Sequence, residues 1–438
     1  MFTAALLLAV VGLVASARET AQPRPRLSYR DVAIDAAKWI RQSRQETLFG
    51  ITWPSDPGDP KTISTALYSG SPGVILFLLE LHAATGDAAY LADARRGADE
   101  LMTKVPSEAQ MGLYTGVAGL GFTLGETWRA TRDDKYRKAA LGAVQILTDK
   151  AGEVGKGVQW NNSTDIISGS AGIGLFLLYA ADTLKADKAS WLAVRAADRL
   201  LEVGIADRGG LKWAMDPSVA RLMPNFAHGT AGIAYFLAAL HKATGGRRFL
   251  DGALAGARYL QAIAKTDGDI CLVPHNQPDG LDLYYLGWCH GPSGTARLFY
   301  QLAQVTGDKS WMTWVQKSAN AVLTSGIPEQ RTPGFWNNVS QCCGSAGVGQ
   351  FMLDLHGVTR DPKYLAFAER MTADLLARAT RDDRGTRWVQ AEHRVRPELL
   401  VAQTGYMQGA AGIGSWLLRL DGQQRKRAPF VRFPDTPW

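Results

Sequence analysis

The sequence predicts an all-α fold in which seven inner and seven outer helices close into a double ring, an α/α toroid. Three observations predict it: a glycine pattern that occurs seven times, an apolar stretch after each occurrence, and an amphipathic stretch before each one. A helix that is apolar nearly all round must be buried, and an amphipathic helix covers it. Seven such pairs bury one another well if the array closes on itself, and an open solenoid of helix pairs is the alternative.

The glycine pattern is Gly-x-x-Gly, followed directly by an apolar run that favours a helix. Its leading glycines are Gly70, Gly116, Gly169, Gly229, Gly291, Gly344 and Gly409. Its second glycines are Gly73, Gly119, Gly172, Gly232, Gly294, Gly347 and Gly412. Because glycine has no Cβ, each pair lets neighbouring backbones approach closely where an inner helix begins.

The amphipathic stretches supply the predicted outer helices. After six of the seven apolar runs comes a turn rich in Gly, Asp, Thr and Lys, and then apolar residues return at helical spacing, as in residues 311–323 and 364–376. One more amphipathic segment, residues 32–40, precedes the first glycine pattern. It can cover the unpaired inner helix after the last pattern and so seal the ring.

Two sets of conspicuous residues recur with the repeat, and we interpret both as architecture. Tryptophans in the long loops before inner helices are expected to pack first and to contact a substrate only second; they are Trp53, Trp160, Trp213, Trp336 and Trp388. Three histidines each lie 12 residues after their own leading glycine: His82, His241 and His356. A position that recurs in three repeats indicates a helix-end residue and not a unique active site.

Composition and charge are those of an ordinary globular protein, with 46% hydrophobic and 20% charged residues and a net charge of +7. The basic residues are dispersed, and the one short basic run, residues 424–427, is interpreted as a solvated tail. We therefore expect no nucleic-acid partner.

The predicted domain organisation begins with an export signal. Residues 1–17 are short, apolar and close on Ala15-Ser16-Ala17, which predicts a periplasmic or secreted protein, with an N-terminal membrane anchor as the alternative. No later segment is apolar for long enough to span a bilayer. A linker (18–30), a single toroid domain (31–421) and a basic, irregular tail (422–438) complete the prediction.

Chemistry is expected where one repeat differs from its siblings, directly before the leading glycine. The distinctive residues there are Asp165, His228, Cys289, His290, Cys342 and Cys343. Because all of them precede inner helices, a closed ring gathers them at one end. There they face the positive ends of the helix dipoles, which stabilise thiolates.

We interpret Cys289, Cys342 and Cys343 as ligands of a metal ion. Three thiolates from two loops form a soft site that suits zinc, and a three-ligand site leaves one position open, as in catalytic zinc centres. Adjacent cysteines do not readily bond each other. His290 in place of one thiolate, and ordinary buried cysteines, are the alternatives. Cys271, on a strand-like loop, is expected to be a packed free thiol.

These motifs resemble the lanthionine synthetase C-like family, the zinc cyclases of lanthipeptide biosynthesis and their relatives. The resemblance rests on residues 228–232 (His-Gly-Thr-Ala-Gly), 288–291 (Trp-Cys-His-Gly) and 342–344 (Cys-Cys-Gly), with the Asp165 segment and the closing glycine pattern beside them. It implies an α/α toroid with zinc at one end. Many members read Cys-His-Gly in the second metal loop, and the Cys-Cys-Gly of this chain resembles the three-thiolate variants.

The resemblance also implies a reaction, the addition of a zinc-activated thiol to a dehydroamino acid or a similar electrophile to give a thioether. His228 would move protons and Asp165 would orient it, although His228 as a mere helix cap is the alternative. The implied substrates are a peptide, or a small thiol with its electrophile. This chain differs from the family cyclases at two places that bear on which product forms. Residues 283–286 lack an arginine that those cyclases often have, and His290 stands where they often have tyrosine.

Two other functions are compatible with the sequence. A carbohydrate-active toroid enzyme would draw its carboxylates from Asp165 and Glu392. Such an enzyme needs two carboxylates that flank one bond, and no pair sits at equivalent loop positions. A non-catalytic, zinc-bearing scaffold would instead present the mouth of the toroid to a peptide.

Overall fold

The computed structural model describes residues 28–438, except residues 333–334, 336–337 and 392–397. The predicted export signal and most of the predicted linker lie outside the described residues, as do Trp336 and Glu392. No helix in the described part of the chain combines the length and the apolar character that a membrane crossing requires.

Fourteen α-helices alternate between an outer and an inner layer across the described residues. The outer helices are α1 (Tyr29–Gln42), α3 (Ala88–Lys104), α5 (Asp134–Asp149), α7 (Ala189–Val203), α9 (Arg247–Ile263), α11 (Ser310–Leu323) and α13 (Pro362–Ala377). The inner helices are α2 (Ser71–Thr85), α4 (Val117–Thr131), α6 (Ser170–Tyr179), α8 (Thr230–Thr244), α10 (Pro292–Thr306), α12 (Ser345–Thr359) and α14 (Ala410–Arg425). A π-helical turn, Ala180–Leu184, continues α6. The predicted all-α toroid is confirmed.

The two layers differ in burial as the sequence pattern predicts. In α2 every residue from Ser71 to Leu81 is buried, whereas α11 buries only one face. Each inner helix begins directly after a leading glycine, and several end at a left-handed residue such as Gly86 or Gly307. The inner helices therefore form the core, and the outer helices shield it from water.

The ring closes on itself. Consecutive inner helices contact each other all the way round, and the last, α14, contacts the first, α2. The first outer helix, α1, packs on α14, so the amphipathic segment before the first glycine pattern covers the last inner helix, as predicted. These contacts exclude the open solenoid.

Short antiparallel hairpins occupy the loops that lead from outer to inner helices. The strand pairs are β1 (Gln45–Glu46) with β2 (Ile51–Thr52), β3 (Gly152–Val154) with β4 (Gly157–Gln159), β5 (Ile205–Asp207) with β6 (Gly210–Lys212), β7 (Thr380–Asp382) with β8 (Gly385–Arg387), and β9 (Val389–Ala391) with β10 (Leu400–Ala402). A hairpin packs on the outer helix of the following unit: β4 lies on α7, β6 on α9, and β8 returns to α1.

The loop tryptophans pack as predicted. Trp160, Trp213 and Trp388 each donate from Nε1 to the carbonyl oxygen 13 residues earlier, over 2.7–2.9 Å, near the end of the preceding outer helix. Trp53 is fully buried. These side chains tie each loop to its outer helix and leave the mouth of the ring to other residues.

Seven backbone hydrogen bonds link the loops into a continuous circle, which we call the peptide girdle. Its members lie two residues before each leading glycine, with one step displaced by a residue: Tyr68, Tyr114, Ile166–Ile167, Ala227, Cys289, Cys342 and Met407. Each N–H donates to the carbonyl of the next loop over 2.8–3.2 Å, and Met407 returns the circle to Tyr68. The girdle fixes the position of each loop tip relative to its two neighbours, at the end of the ring where the inner helices begin. We call this end the mouth.

The second glycine of each pattern makes this geometry possible. A Cβ at Gly294 would lie 1.9 Å from the carbonyl oxygen of Trp288, and a Cβ at Gly412 would lie 1.8 Å from that of Tyr406. The close approach is thus mainly between a helix start and its own incoming loop, six residues earlier. A side chain there would push the loop out of the girdle.

Residues 427–438, which we call the lumen segment, lie inside the ring and are not a solvated tail. Arg427 pairs with Glu80 of α2 over 3.2 Å, and Asp435 is 1% exposed. Within the basic run, residues 424–426 are exposed, as predicted for a solvated stretch, and only Arg427 packs into the ring. The predicted domain boundaries also shift, because α1 begins at Tyr29 and α14 continues to Arg425.

Candidate metal centre and acid–base pair

The girdle brings the three predicted ligand cysteines together at the mouth of the ring. Cys289 and Cys342 are both girdle residues, and Cys343 follows at once. Cys289 Sγ lies 3.1 Å from Cys343 Sγ, which lies 3.3 Å from Cys342 Sγ. All three sulfurs are within 4.8 Å of one another, a spacing that can hold a metal ion.

The fourth cysteine has a different environment. Cys271 is buried beside Ser318 in the loop before α10, and burial raises the pKa of its thiol to about 12. A thiol with so high a pKa stays protonated and inert. Cys271 is therefore a packed free thiol, as predicted.

One thiol of the cysteine cluster, that of Cys342, has a lowered pKa. Hydrogen bonds from Cys289 and Cys343 lower the pKa of Cys342 well below the ordinary value of a thiol, and Tyr68 adds another. Burial raises the pKa of Tyr68, and the charge on Cys342 raises it further, so Tyr68 remains a donor. A cluster that already stabilises a thiolate with donated hydrogens suits a soft cation, which replaces those hydrogens on binding.

Asp165 and His228 form a hydrogen-bonded pair beside the cluster. One carboxylate oxygen of Asp165 accepts from the backbone N–H groups of Ser168 (2.9 Å) and Gly169 (2.8 Å). The other lies 2.7 Å from Nδ1 of His228. The Asp165 side chain is fully buried, whereas that of His228 is 27% exposed. The fixed carboxylate thus orients a ring that can still meet a ligand.

The pair also tunes the basicity of the ring. Burial opposes a charge on His228, but the hydrogen bond to Asp165 and its negative charge outweigh burial and raise the pKa of His228 above its ordinary value. With Nδ1 held by the carboxylate, Nε2 is the nitrogen that exchanges a proton.

A row of rings extends from His228 along the fifth loop. The His290 ring lies 5.3 Å from that of His228 and meets the His275 ring edge to face at 4.4 Å, and His275 stacks on Tyr285 at 4.2 Å. Burial lowers the pKa of His290 well below its ordinary value, and the neighbouring histidines lower it further. His290 therefore lines the site as an uncharged ring.

Residues 61–433 match the family described as lanthionine synthetase C-like protein. The chain belongs to the lanthionine synthetase C-like family. A curated relative of 22% identity over 311 residues is the glutathione S-transferase LANCL1 of Danio rerio, with 68% of this chain and 71% of that protein covered.

Solved structures share the toroid of this family member. Nisin cyclase superposes with a TM-score of 0.65 at 17% identity and covers 93% of this chain and 96% of its own. A family 76 glycoside hydrolase from a bovine Bacteroides thetaiotaomicron strain reaches 0.51 at 13% identity, with 91% and 78% covered. At such identities these likenesses concern the fold.

Sequence reasoning about this family member missed three residues near the mouth. Tyr68 occupies the same register position as Cys289 and Cys342, so an alignment of all seven patterns could have drawn attention to it. His275 and Tyr285 lie in the long loop before α10, outside any recurring pattern. Only the folded loop brings these two residues to His290.

Proposed function

We propose that this chain is a zinc-dependent enzyme that adds a thiol to a dehydroamino acid or a similar electrophile and so forms a thioether. One observation carries the proposal: three sulfurs from two neighbouring loops converge beside an oriented Asp165–His228 pair. Family membership and the shared fold with nisin cyclase support it. The relative named as a glutathione S-transferase supports thiol chemistry in particular.

Zinc is the proposed metal because the donor set is made of thiolates. Cys289, Cys342 and Cys343 would hold it, and three protein ligands leave a position for an incoming group. Bound there, zinc supplies a Lewis acid that favours the thiolate form of a substrate thiol. Cys343 is the most exposed of the three, which favours it as the ligand nearest an incoming substrate.

His228 is proposed to carry the proton through the reaction. The thiol gives its proton to Nε2 of His228, and the sulfur forms a bond to the β-carbon of the electrophile. The carbon–carbon π bond breaks, and its electron pair moves toward the neighbouring carbonyl as an enolate. His228 then returns the proton to the α-carbon, so that thiol and alkene become one thioether with no other reactant.

Asp165 is proposed as the residue that positions His228. Its buried carboxylate fixes the tautomer and favours the protonated ring that forms midway through the reaction. Both of its oxygens are engaged, one by backbone N–H groups and one by the ring. This engagement disfavours the carbohydrate-active alternative, which would need Asp165 as a free acid or base.

The test combines metal content with a rate. The full chain and the variants Cys342→Ser, Cys343→Ser and Cys271→Ser would be purified, their zinc measured by mass spectrometry, and thioether formation followed from glutathione and a dehydroalanine peptide. We expect about one zinc ion per wild-type chain. In the variants of Cys342 and Cys343 we expect both the zinc content and the rate of thioether formation to fall by at least about tenfold.

Cys271→Ser is the matched control, since it removes a buried thiol outside the cluster. It should retain both zinc and rate. Wild-type protein without zinc would contradict the metal centre. Zinc-loaded protein that binds a peptide but forms no thioether across a panel of thiols and electrophiles would favour the non-catalytic scaffold.

A further inference from the structure

The lumen segment is bound by several inner helices at once. The backbone N–H groups of Phe430 and Val431 both donate to Glu80 of α2 over 2.8 Å. The Trp438 ring stacks on Tyr300 of α10, with 4.0 Å between centroids. The Phe433 ring contacts three aromatic rings from two units of the toroid: Tyr114 and Phe122 at α4, and Tyr406 before α14. Contacts to so many helices are possible only from inside the toroid.

The segment carries a buried carboxylate, Asp435, to the underside of the girdle. One oxygen of Asp435 accepts three hydrogen bonds: from Arg297 Nη1 at 2.9 Å, from Trp288 Nε1 at 3.2 Å, and from the Tyr114 hydroxyl at 3.3 Å. Arg297 also donates to the Asp435 carbonyl. A buried carboxylate is tolerated only when its partners stay in place, so this network is held firmly.

Two of those donors belong to loops of the girdle, and one of them, Trp288, belongs to a loop that forms the metal site. Tyr114 is itself a girdle residue, and Trp288 directly precedes Cys289. The Trp288 N–H donates to the carbonyl of Cys342 over 2.9 Å, as the Cys289 N–H does over 3.2 Å. Trp288 therefore touches Asp435 with its side chain and both cysteine loops with its backbone.

We propose that Asp435 is a positioning residue of the metal centre, so that the lumen segment is part of the site. Asp435 fixes the indole of Trp288 and thereby the height of Cys289 relative to Cys342 and Cys343. Without it, Trp288 loses its partner, Cys289 gains freedom, and the three sulfurs converge less often. This inference rests on the proposed metal centre and extends it to Asp435, more than 90 residues after Cys343 in the sequence.

Asp354 provides a control of the same kind. It is also buried in the lumen and pairs with an arginine, Arg419, over 2.5 Å. That pair joins α12 to α14 and reaches neither Trp288 nor Tyr114. Asp354→Asn thus disturbs a buried acid–arginine pair without touching the support of Cys289.

The experiment titrates metal-free full-length protein with Co²⁺ and reads both the affinity and the sulfur-to-cobalt charge-transfer absorption. We expect Asp435→Asn to weaken Co²⁺ binding by about 10–100-fold, as loss of a residue that orients a ligand does. Asp354→Asn should weaken Co²⁺ binding by less than about threefold, even if both variants unfold at a lower temperature. The reason is that, among the described residues, Asp354 shares no hydrogen-bond partner with Trp288 or Tyr114, and sites without shared partners act independently. Equal weakening in both variants, or wild-type affinity and spectrum in Asp435→Asn, would overturn the inference.

A milder variant decides the matter if Asp435→Asn does not fold. Trp288→Phe removes the indole N–H and keeps an aromatic ring, and we expect about threefold to tenfold weaker Co²⁺ binding. Unchanged binding in this variant would overturn the positioning role. Wild-type protein that binds no Co²⁺ would overturn the metal centre itself, a failure distinct from that of Asp435.

Discussion

Histidines occur at both ends of the inner helices, and they make different contacts at the two ends. Where the helices end, His82, His241 and His356 each place Nδ1 2.9–3.2 Å from the carbonyl oxygen five residues later. Where α8 begins, His228 instead meets a buried carboxylate. The contact at the helix ends is repeated three times, and the contact at the helix start occurs in one unit.

The difference teaches where the fold permits chemistry. At the far end three units share one residue type at the same position, and each of these histidines closes the turn into the next outer helix. At the mouth the backbone of the girdle makes the equivalent connections, so the side chains there are not needed for closure. The residues at the mouth differ from loop to loop while the main-chain circle persists.

The largest expected effect comes from a comparison of both ends of α8. His228→Asn should lower the rate of thioether formation by about 10²–10⁴-fold while zinc content stays at the wild-type level, because the proton carrier is lost. His241→Asn at the other end should leave the rate unchanged. Initial rates and metal analysis of both variants check this; a similar loss in both would contradict the division between the two ends.

A smaller effect should separate the two ends of α12. At its start, a Cβ on Gly347 would lie 2.0 Å from the carbonyl oxygen of Gln341, whereas near its end Gly357 is exposed with nothing within 4 Å. Gly347→Ala should lower the free energy of unfolding by about 1–3 kcal/mol. Gly357→Ala should raise it by up to about 1 kcal/mol, since alanine favours a helix. Urea unfolding measures both, and equal signs would refute the comparison.

A titration of His228 tests whether its contact with Asp165 distinguishes it from the histidines at the helix ends. Because the Asp165 charge holds the pKa of His228 above its ordinary value, Asp165→Asn should lower that pKa. A raised folded-state pKa contributes stability that is fully present below the unfolded value of about 6.5 and is lost as pH rises through the folded value. The stability gap between wild type and variant should therefore be wider at low pH. NMR titration and pH-dependent unfolding would show it; an unchanged His228 pKa would contradict it.

The smallest expected effect is on stability, when one of the three repeated histidines is replaced. His241→Ala should lower the free energy of unfolding by about 0.5–1.5 kcal/mol through one lost hydrogen bond. Zinc content and rate should not change. Thermal unfolding with metal analysis tests this, and a loss of zinc in this variant would mean that the far end also supports the site.

The fold could be predicted because its determinants recur. Seven copies of one glycine pattern average out local ambiguity, and the alternation of apolar and amphipathic stretches leaves few ways to bury them. The cysteine cluster could be predicted for the same reason, since Cys289 and Cys342 share a register position.

The rest depended on contacts that no pattern marks. The lumen segment follows a basic run and contains prolines, which favour an irregular tail, and its inward fold is evident only from its contacts with the inner helices. The partners of Asp435 come from loops far away in the sequence, and His275 reaches the mouth through a loop without a recurring motif.

The peptide girdle has a consequence for how this protein can change over time. Its donors and acceptors are main-chain atoms, so a residue exchanged at a loop tip leaves the circle intact. The circle of hydrogen bonds therefore does not depend on which side chain each loop tip carries. New reactivity can be installed one loop at a time, and an abandoned metal site need not take the architecture with it.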